Sequence, residues 1–438
     1  MSLPSINHAS WRLLGLLASS LLLGSYSPTM LAADMTLTQT ITIASLSNKD
    51  LQAARYTVVK ARARLLQAGL TPNPRLDVGA KNDLLFGNDG EYVANVGISQ
   101  QFSVTNRIAR QQDVARVDIA LAYAEIRQAE LRLANEIATR FYSVLSLNRQ
   151  IDEREQLIAV NQKLLAGSRN RYKAAEVSEL DVNTAQLELQ RLTQERVLLQ
   201  SQRSTQLAQL NQLLGRPATQ TLMLDNTLPV SEPLSALDEQ QQQASRLRPD
   251  LQFALLNADR AGANQALAHA QRWEDWTVGI GLEQGHQVIS GVPPQGTSRA
   301  LGFSLSIPLP LVNKNQGNIA EAAANSSQAY ARIEALKLGI SNEVASAYAE
   351  TQRLQQTLAA YQHNMLALGT RNVRLALQGY NQGLIPIGDV VRIQRQQAEL
   401  NIAYLNTLDQ YLQALARLQA ATADDIKTLP HIDATAAP

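Results

Sequence analysis

The chain has 438 residues, 45% apolar and 18% charged, with 39 basic against 38 acidic groups. That balance leaves no basic excess to release counterions from a phosphate backbone, so nucleic-acid binding loses its main support. With no cysteine, a disulfide framework, a Cys-ligated metal, a thiol nucleophile and a lipidated N-terminal cysteine are all excluded. Aromatics make up only 5%, and the abundance of Ala, Leu and Gln points to long helices rather than an aromatic-rich core.

Residues 1–33 read as a secretory signal. His8 and Arg12 precede an apolar stretch from Leu13 to Leu23, Gly24 and Pro28 break it, and Ala32 and Ala33 offer a small-residue cleavage site. The stretch falls short of the ~20 apolar residues a membrane helix needs, and nothing after residue 33 reaches that length. Any membrane crossing by the mature chain must therefore use strands.

The next elements alternate with period two. Leu76, Val78 and Ala80 face away from Asp77, Gly79 and Lys81, and Ala94, Val96, Ile98 and Phe102 oppose Asn95, Gly97, Ser99 and Gln101. These predict strands over 75–83 and 92–103, joined by a polar loop at 83–91. One apolar and one small or polar face suits a strand between lipid and a watery lumen. A half-buried sheet in a soluble domain has the same local pattern. The lengths match the ~9–11 residues of a tilted membrane strand, which favours lipid.

A long helical hairpin over 108–215 follows. No Pro occurs between Pro74 and Pro217, and no Gly between Gly97 and Gly167. Since Pro costs ~3 kcal/mol inside a helix, such gaps fit very long helices. Residues 108–168 would make a rod of ~90 Å. It reverses near 173–178, and on the return helix Ala185, Leu192, Leu199 and Leu213 fall at multiples of seven, a coiled-coil seam interrupted by Gln206. Pro217, Pro229, Pro233 and the run Gln240 to Gln243 mark a connector over 216–245.

The chain is then written a second time. Asp50-Leu51-Gln52 recurs as Asp250-Leu251-Gln252, and Val78-Gly79 as Val278-Gly279, both at an offset of 200. Gly97 and Ser99 recur as Gly302 and Ser304 at 205, and Asp181-Val182 as Asp389-Val390 at 208. The second unit, 246–424, predicts strands over 275–284 and 300–308 and a helical hairpin over 318–424 that reverses near 381–388. The tail, 425–438, reads as disordered. Four strands cannot close a barrel, and hydrocarbon does not tolerate an open edge, so copies of the chain must combine.

Signal, duplicated strand–rod units and ordered motifs together resemble the TolC family of outer-membrane efflux channels. The motifs are Ala68-Gly69-Leu70-x-Pro72-Asn73-Pro74-Arg75-Leu76, Arg171-Tyr172 with Val177-Ser178-x-Leu180-Asp181, Leu214-Gly215-Arg216-Pro217, Arg248-Pro249-Asp250-Leu251, and Gly379-Tyr380-x-x-Gly383 with Asp389-Val390. Ile307-Pro308-Leu309-Pro310-Leu311 with Asn315-Gln316-Gly317-Asn318-Ile319 is most similar to the CzcC-like heavy-metal cation efflux branch. The resemblance implies a mostly α chain with a membrane β-barrel: a homotrimer whose twelve strands, four per copy, sit in outer-membrane lipid above a periplasmic coiled-coil tunnel. It implies a periplasmic adaptor (membrane fusion protein) and an inner-membrane pump of the resistance–nodulation–division (RND) type as partners. The chain itself would be a passive conduit for heavy-metal cations in a Gram-negative outer membrane. Within the same fold the alternatives are a drug or solute efflux channel and a type I secretion channel; outside it, a soluble periplasmic scaffold.

No enzymatic constellation, cofactor site or metal site is expected. His8, His269, His286, His363 and His431 are scattered, without an i,i+4 pair. The candidate residues lie at the hairpin tips. Asp181 and Asp389 each stand just inside a returning helix, where a carboxylate is favoured by ~0.3–1 kcal/mol, so capping is one reading. A ring of like charges gating the tunnel is the other. The resemblance adds Tyr172 and Tyr380 as gate candidates, with Asp181 hydrogen-bonded to Tyr380. Arg392 can pair with Asp389 at i,i+3, and Ile385 replaces a basic residue expected opposite Asp181. Val177, Ser178, Gly383 and Leu384 are the adaptor-docking candidates. Gly383-Leu384 retains a glycine turn where the first copy has Ala175-Glu176, so the two tips are expected to differ.

Overall fold

The computed structural model describes residues 34–82, 90–227, 233–289, 291–293 and 295–424. The signal at 1–33, Pro229 and the tail at 425–438 lie outside the described residues, as does most of the loop expected over 83–91. In the first half α1 (Leu37–Ser47) and α2 (Lys49–Ala68) lead into β1 (Arg75–Asn82) and β2 (Tyr92–Phe102). α3 (Arg107–Lys173) then runs away from the sheet and α4 (Glu179–Leu213) returns. In the second half α5 (Leu237–Leu247) and α6 (Pro249–Ala270) lead into β3 (Trp276–His286) and β4 (Ser298–Ser306). α7 (Gln316–Ala360), a π-helical turn (Tyr361–Met365) and α8 (Leu366–Asn381) descend, and α9 (Ile387–Thr422) returns.

α1 and α5 are both 11-residue helices, beginning at Leu37 and Leu237. The duplication therefore starts upstream of Asp50, and α5 lies mostly in the stretch expected to be connector. Proline and glutamine marked that stretch as a break, yet the glutamines of α5 favour helix. At the first α1–α2 joint, Asn48 Oδ1 accepts the Leu51 N–H at 2.8 Å while its Nδ2 donates to the Leu213 carbonyl at 2.9 Å. Ser47 Oγ donates to the Leu214 carbonyl at 2.7 Å, so orphan carbonyls at the end of α4 find partners. Gly215 turns the chain here at φ +66°, and a Cβ would meet the Ser47 carbonyl oxygen at 2.4 Å. No side chain fits.

The four strands form one antiparallel sheet in the order β1-β2-β3-β4. Asp77, Gly97, Gly281 and Gly302 lie side by side in one row across it. A Cβ on Gly97 would stand 3.0 Å from the Ile280 carbonyl oxygen, and one on Gly79 2.5 Å from Asn95 Oδ1. The small-residue face is thus crowded while the opposite apolar face is open, with Phe303 78% exposed.

Below the sheet the helices repeat its order: α2 packs on α3, α3 on α6, and α6 on α7. α3 spans 67 residues, a rod of about 100 Å. The contacts between helices are rich in alanine; Ala44, Ala134, Ala138, Ala244, Ala414, Ala416 and Ala421 are buried. Phe141, Tyr142 and Leu145 of α3 pack against Leu405, Leu408, Tyr411 and Leu412 of α9. On α4, Ala185 and Leu192 are buried as the seam predicts, and Gln206, its interruption, accepts from Arg140 of α3 at 3.1 Å.

The second rod departs from expectation. The first arm of the hairpin expected over 318–424 is not one continuous α-helix: the Leu366 N–H bonds the Tyr361 carbonyl, five residues back. Tyr361 lies edge-on to Tyr404 at 6.1 Å, and Gln362 Nε2 donates to the Tyr404 hydroxyl at 3.0 Å. A π turn inserts a residue into the i→i−4 ladder and needs neither Pro nor Gly, so composition does not reveal it.

Candidate functional site

The ends of the two helical hairpins meet at the pole opposite the sheet. Leu164, Leu165, Ala185, Ala376, Tyr380, Ile387, Val390 and Val391 form one buried cluster there, drawn from α3, α4, α8 and α9. Ile385 packs against this cluster, beside Gly379, so the residue that replaces a basic one serves as core.

Both turns have the same backbone. In the first, the Ala175 N–H bonds the Tyr172 carbonyl and the Glu176 N–H the Arg171 carbonyl, each at 2.9 Å. In the second, the Gly383 N–H bonds the Tyr380 carbonyl at 3.0 Å and the Leu384 N–H the Gly379 carbonyl at 2.8 Å. Ala175 and Gly383 sit in the left-handed region at φ 59° and 74°. These are paired Schellman turns. The tips therefore differ in side chains while sharing one backbone path: the turn's hydrogen bonds hold an alanine where glycine is preferred, at a cost of about 1–2 kcal/mol.

Tyr380 is 3% exposed and Tyr172 46%. The Tyr380 hydroxyl lies 3.0 Å from Ser168 Oγ, so within one copy it bonds α3 and not Asp181. Arg171, which sequence reasoning quoted only as part of a motif, ties the tips together. Its guanidinium stacks over the Tyr380 ring at 4.8 Å, Nη1 donates to the Tyr380 carbonyl at 3.0 Å, and Nε pairs with Glu176 at 3.1 Å. Ser178 is the N-cap of α4, its hydroxyl accepting the Asp181 N–H at 3.4 Å. Capping thus falls to Ser178, and the Asp181 carboxylate is left on the first turn. Asp389 stands at the matching place on α9 and pairs with Arg392 at 3.3 Å, with both side chains largely in solvent. Val177 is half-buried, while Leu180 and Leu384 stand out from the two hairpins, each more than 70% exposed.

Just above the tip cluster lies a charged pin. Glu188 of α4 is 2% exposed and joins the two hairpins. Arg395 of α9 donates to Glu188 Oε2 through Nε at 2.9 Å and Nη2 at 2.6 Å, and Arg191 Nη2 donates to Oε1 at 2.6 Å. Arg191 also meets Glu195, which pairs with Arg154 of α3 at 3.0 Å. Burial by itself raises the Glu188 carboxyl, but the hydrogen bonds and charges of Arg191 and Arg395 outweigh it and hold it below its ordinary value of 4.5. A signal for it exists in the sequence: Glu188 lies between Ala185 and Leu192, a charge inside an apolar seam. Among the described residues no group of three or more His, Cys, Asp or Glu could hold a metal ion.

Two outcomes follow from this geometry. Ala175→Gly should stabilise the detergent-solubilised protein and Gly383→Ala should destabilise it, each by about 1 kcal/mol, read as opposite shifts of the apparent unfolding temperature; opposite signs would mean that the turns are not left-handed. Glu188→Gln should destabilise the hairpin pair by about 1–3 kcal/mol at neutral pH, since the arginines retain partial access to water. Because folding lowers this carboxyl, its contribution is complete above 4.5 and disappears as pH falls through the lower folded value. The gap between wild type and variant in thermal melts should accordingly close in acid.

Comparison with known proteins agrees with this architecture. A family model described as "Outer membrane efflux protein" matches residues 40–216 and 241–424. The cobalt-zinc-cadmium resistance protein CzcC of Cupriavidus metallidurans is 23% identical over 417 residues, covering 88% of this chain and 90% of that protein. A crystal structure of CusC superposes with a TM-score of 0.70 at 20% identity, covering 89% of this chain and 92% of that one. The open state of the Neisseria gonorrhoeae outer membrane channel MtrE superposes with a TM-score of 0.68 at 18% identity, covering 88% of each chain. These structural likenesses concern the fold. With both halves of the duplication matched by the family model, the chain belongs to the outer membrane efflux protein family.

Proposed function

We propose that three copies of this chain form the outer-membrane conduit of a tripartite system that exports heavy-metal cations, fed by an inner-membrane RND-type pump through a periplasmic adaptor. The observation that carries this reading is the sheet, apolar and open on one face and unpaired at both edges. Among the described residues β1 bonds only β2, and β4 only β3. Tyr92 and His286 pair in register at one end of β2–β3 and stack at 6.2 Å, and Phe102 and Trp276 pair at the other. The 11-residue span of β2 covers about 33 Å along the strand, or about 25 Å vertically at a tilt of about 40°. Rings of aromatics bounding an apolar band of that height suit an outer-membrane barrel. Among the described residues no helix is long and apolar enough to cross a membrane.

Closing the edges between copies places the hairpin tips around one axis, where Asp389 and Asp181 become rings of carboxylates. Leu180 and Leu384, exposed on the turns, give an adaptor apolar purchase beside Val177, Ser178 and Gly383. The conduit itself transforms nothing. The metal cargo rests on the likeness to a cobalt-zinc-cadmium resistance protein.

Deleting the gene in its host and measuring growth with zinc, cobalt, cadmium, copper, silver and a panel of drugs tests the cargo. Sensitivity to metals alone is expected. Sensitivity to drugs alone would leave the channel and overturn the cargo. For the gate, Asp389→Ala leaves Arg392 without its carboxylate, so in a planar bilayer the resting channel should conduct more and shift toward anions. Unchanged conductance and selectivity would remove Asp389 from the gate.

A further inference from the structure

The apolar alternation of β4 does not stop where β4 stops. Leu301, Phe303 and Leu305 share one face, and Ile307, Leu309 and Leu311 keep the same parity through a stretch containing Pro308 and Pro310. Leu309 is 66% exposed, Leu311 75% and Val312 89%, the highest value for a large apolar residue among those described. Three apolar side chains held in the open within four residues need a partner.

Their depth follows from the register. Thr277 pairs with Ser306, so Ile307 stands level with Trp276, itself paired with Phe102, at the end of the sheet nearer the rods. Residues 309–312 lie just beyond. The Leu311 N–H bonds the Leu309 carbonyl at 2.8 Å, which turns the chain at that level. Asn315 Nδ2 donates to the Ala268 carbonyl at 2.7 Å, which fixes the far end of the loop to α6. Lys314 follows, and the exposed Arg272 and Trp273 flank the start of β3 at the same end.

A neighbouring copy and a lipid surface are the two possible covers, and the backbone argues against the first. Pro72 and Pro74 precede β1 as Pro308 and Pro310 follow β4. Every second residue of both free edges therefore lacks an N–H donor at this end, which disfavours a ladder between copies past the strands. Apolar side chains bracketed by Trp, Arg and Lys are instead the chemistry of a membrane–water boundary. The geometry points to residues 309–312 as a membrane-surface anchor. Leu309, Leu311 and Val312 seat in the phospholipid leaflet that faces the rods, with Lys314 and Arg272 at its phosphates. This inference rests on the outer-membrane reading of the sheet and extends it to a segment outside the barrel.

Fluorescence quenching of the full chain in phosphatidylethanolamine–phosphatidylglycerol vesicles tests it, with Trp11, Trp273 and Trp276 replaced by Phe. One tryptophan is then introduced at a time, by Val312→Trp, by Phe303→Trp as the lipid-face control, or by Leu384→Trp at the hairpin tip. Brominated lipid should quench Val312→Trp and Phe303→Trp at least twofold more than Leu384→Trp, and Val312→Trp most strongly when the bromine lies near the acyl carboxyl end. Quenching of Phe303→Trp without Val312→Trp would overturn the anchor alone. Shielding of Val312→Trp from aqueous acrylamide as well would then assign the loop to a neighbouring copy. Absence of quenching for Phe303→Trp too would overturn the outer-membrane reading with it.

Discussion

An unpaired backbone N–H or C=O in hydrocarbon costs several kcal/mol, and every strand in a membrane must therefore have two neighbours. The four-stranded sheet of this chain meets that condition for β2 and β3 and fails it at β1 and β4. The rest of the molecule follows from the failure. On the proposed outer-membrane reading a single copy is an incomplete wall, and closure by further copies would satisfy the two edges together. The helices inherit the geometry, since α2, α3, α6 and α7 stand in the same order as the strands that they join.

Small side chains recur in both layers. In the glycine row across the sheet neighbouring strands approach closely, so that a Cβ at Gly97 would stand 3.0 Å from a carbonyl oxygen. Alanine plays the corresponding part in the rods, where buried positions such as Ala134, Ala138, Ala414 and Ala416 let helices approach closely. Small side chains such as these carry little directional information, so register between the rods needs further contacts. Pins such as Glu188 with Arg191 and Arg395 answer that need: a buried carboxylate displaced from its arginines would lose far more than a methyl contact.

The two halves share a plan and differ in the continuity of their descending rods. α3 is one 67-residue helix, whereas its counterpart is interrupted by the π turn at Tyr361–Met365. The tips differ less than their residues suggest, because the Schellman hydrogen bonds dictate the path and Ala175 follows it as Gly383 does. Asymmetry between the hairpins thus lies partway along the rods and in the surface side chains. The turns themselves are equivalent.

Period-two alternation, the absence of proline over long spans and the offset repeat reveal the strands, the rods and the duplication from sequence alone, because each is a local pattern with a local physical cause. The same locality explains what stayed hidden. The π turn is a one-residue mismatch with no compositional mark, and α5 lay behind the prolines and glutamines that read as a connector. Arg171 and Glu188 take their roles from residues about 200 positions away, Tyr380 and Arg395. Asp181, Asp389 and Tyr380 were legible as tip residues from their spacing. The Ser178 cap and the Asp389–Arg392 pair are i,i+3 contacts that spacing alone allows, whereas the bond of Tyr380 to Ser168 depends on which helix faces which. Sequence determined the elements and their order. Tertiary structure decided the partners, because a side chain's hydrogen bonds are chosen by the packing of helices far apart in the chain.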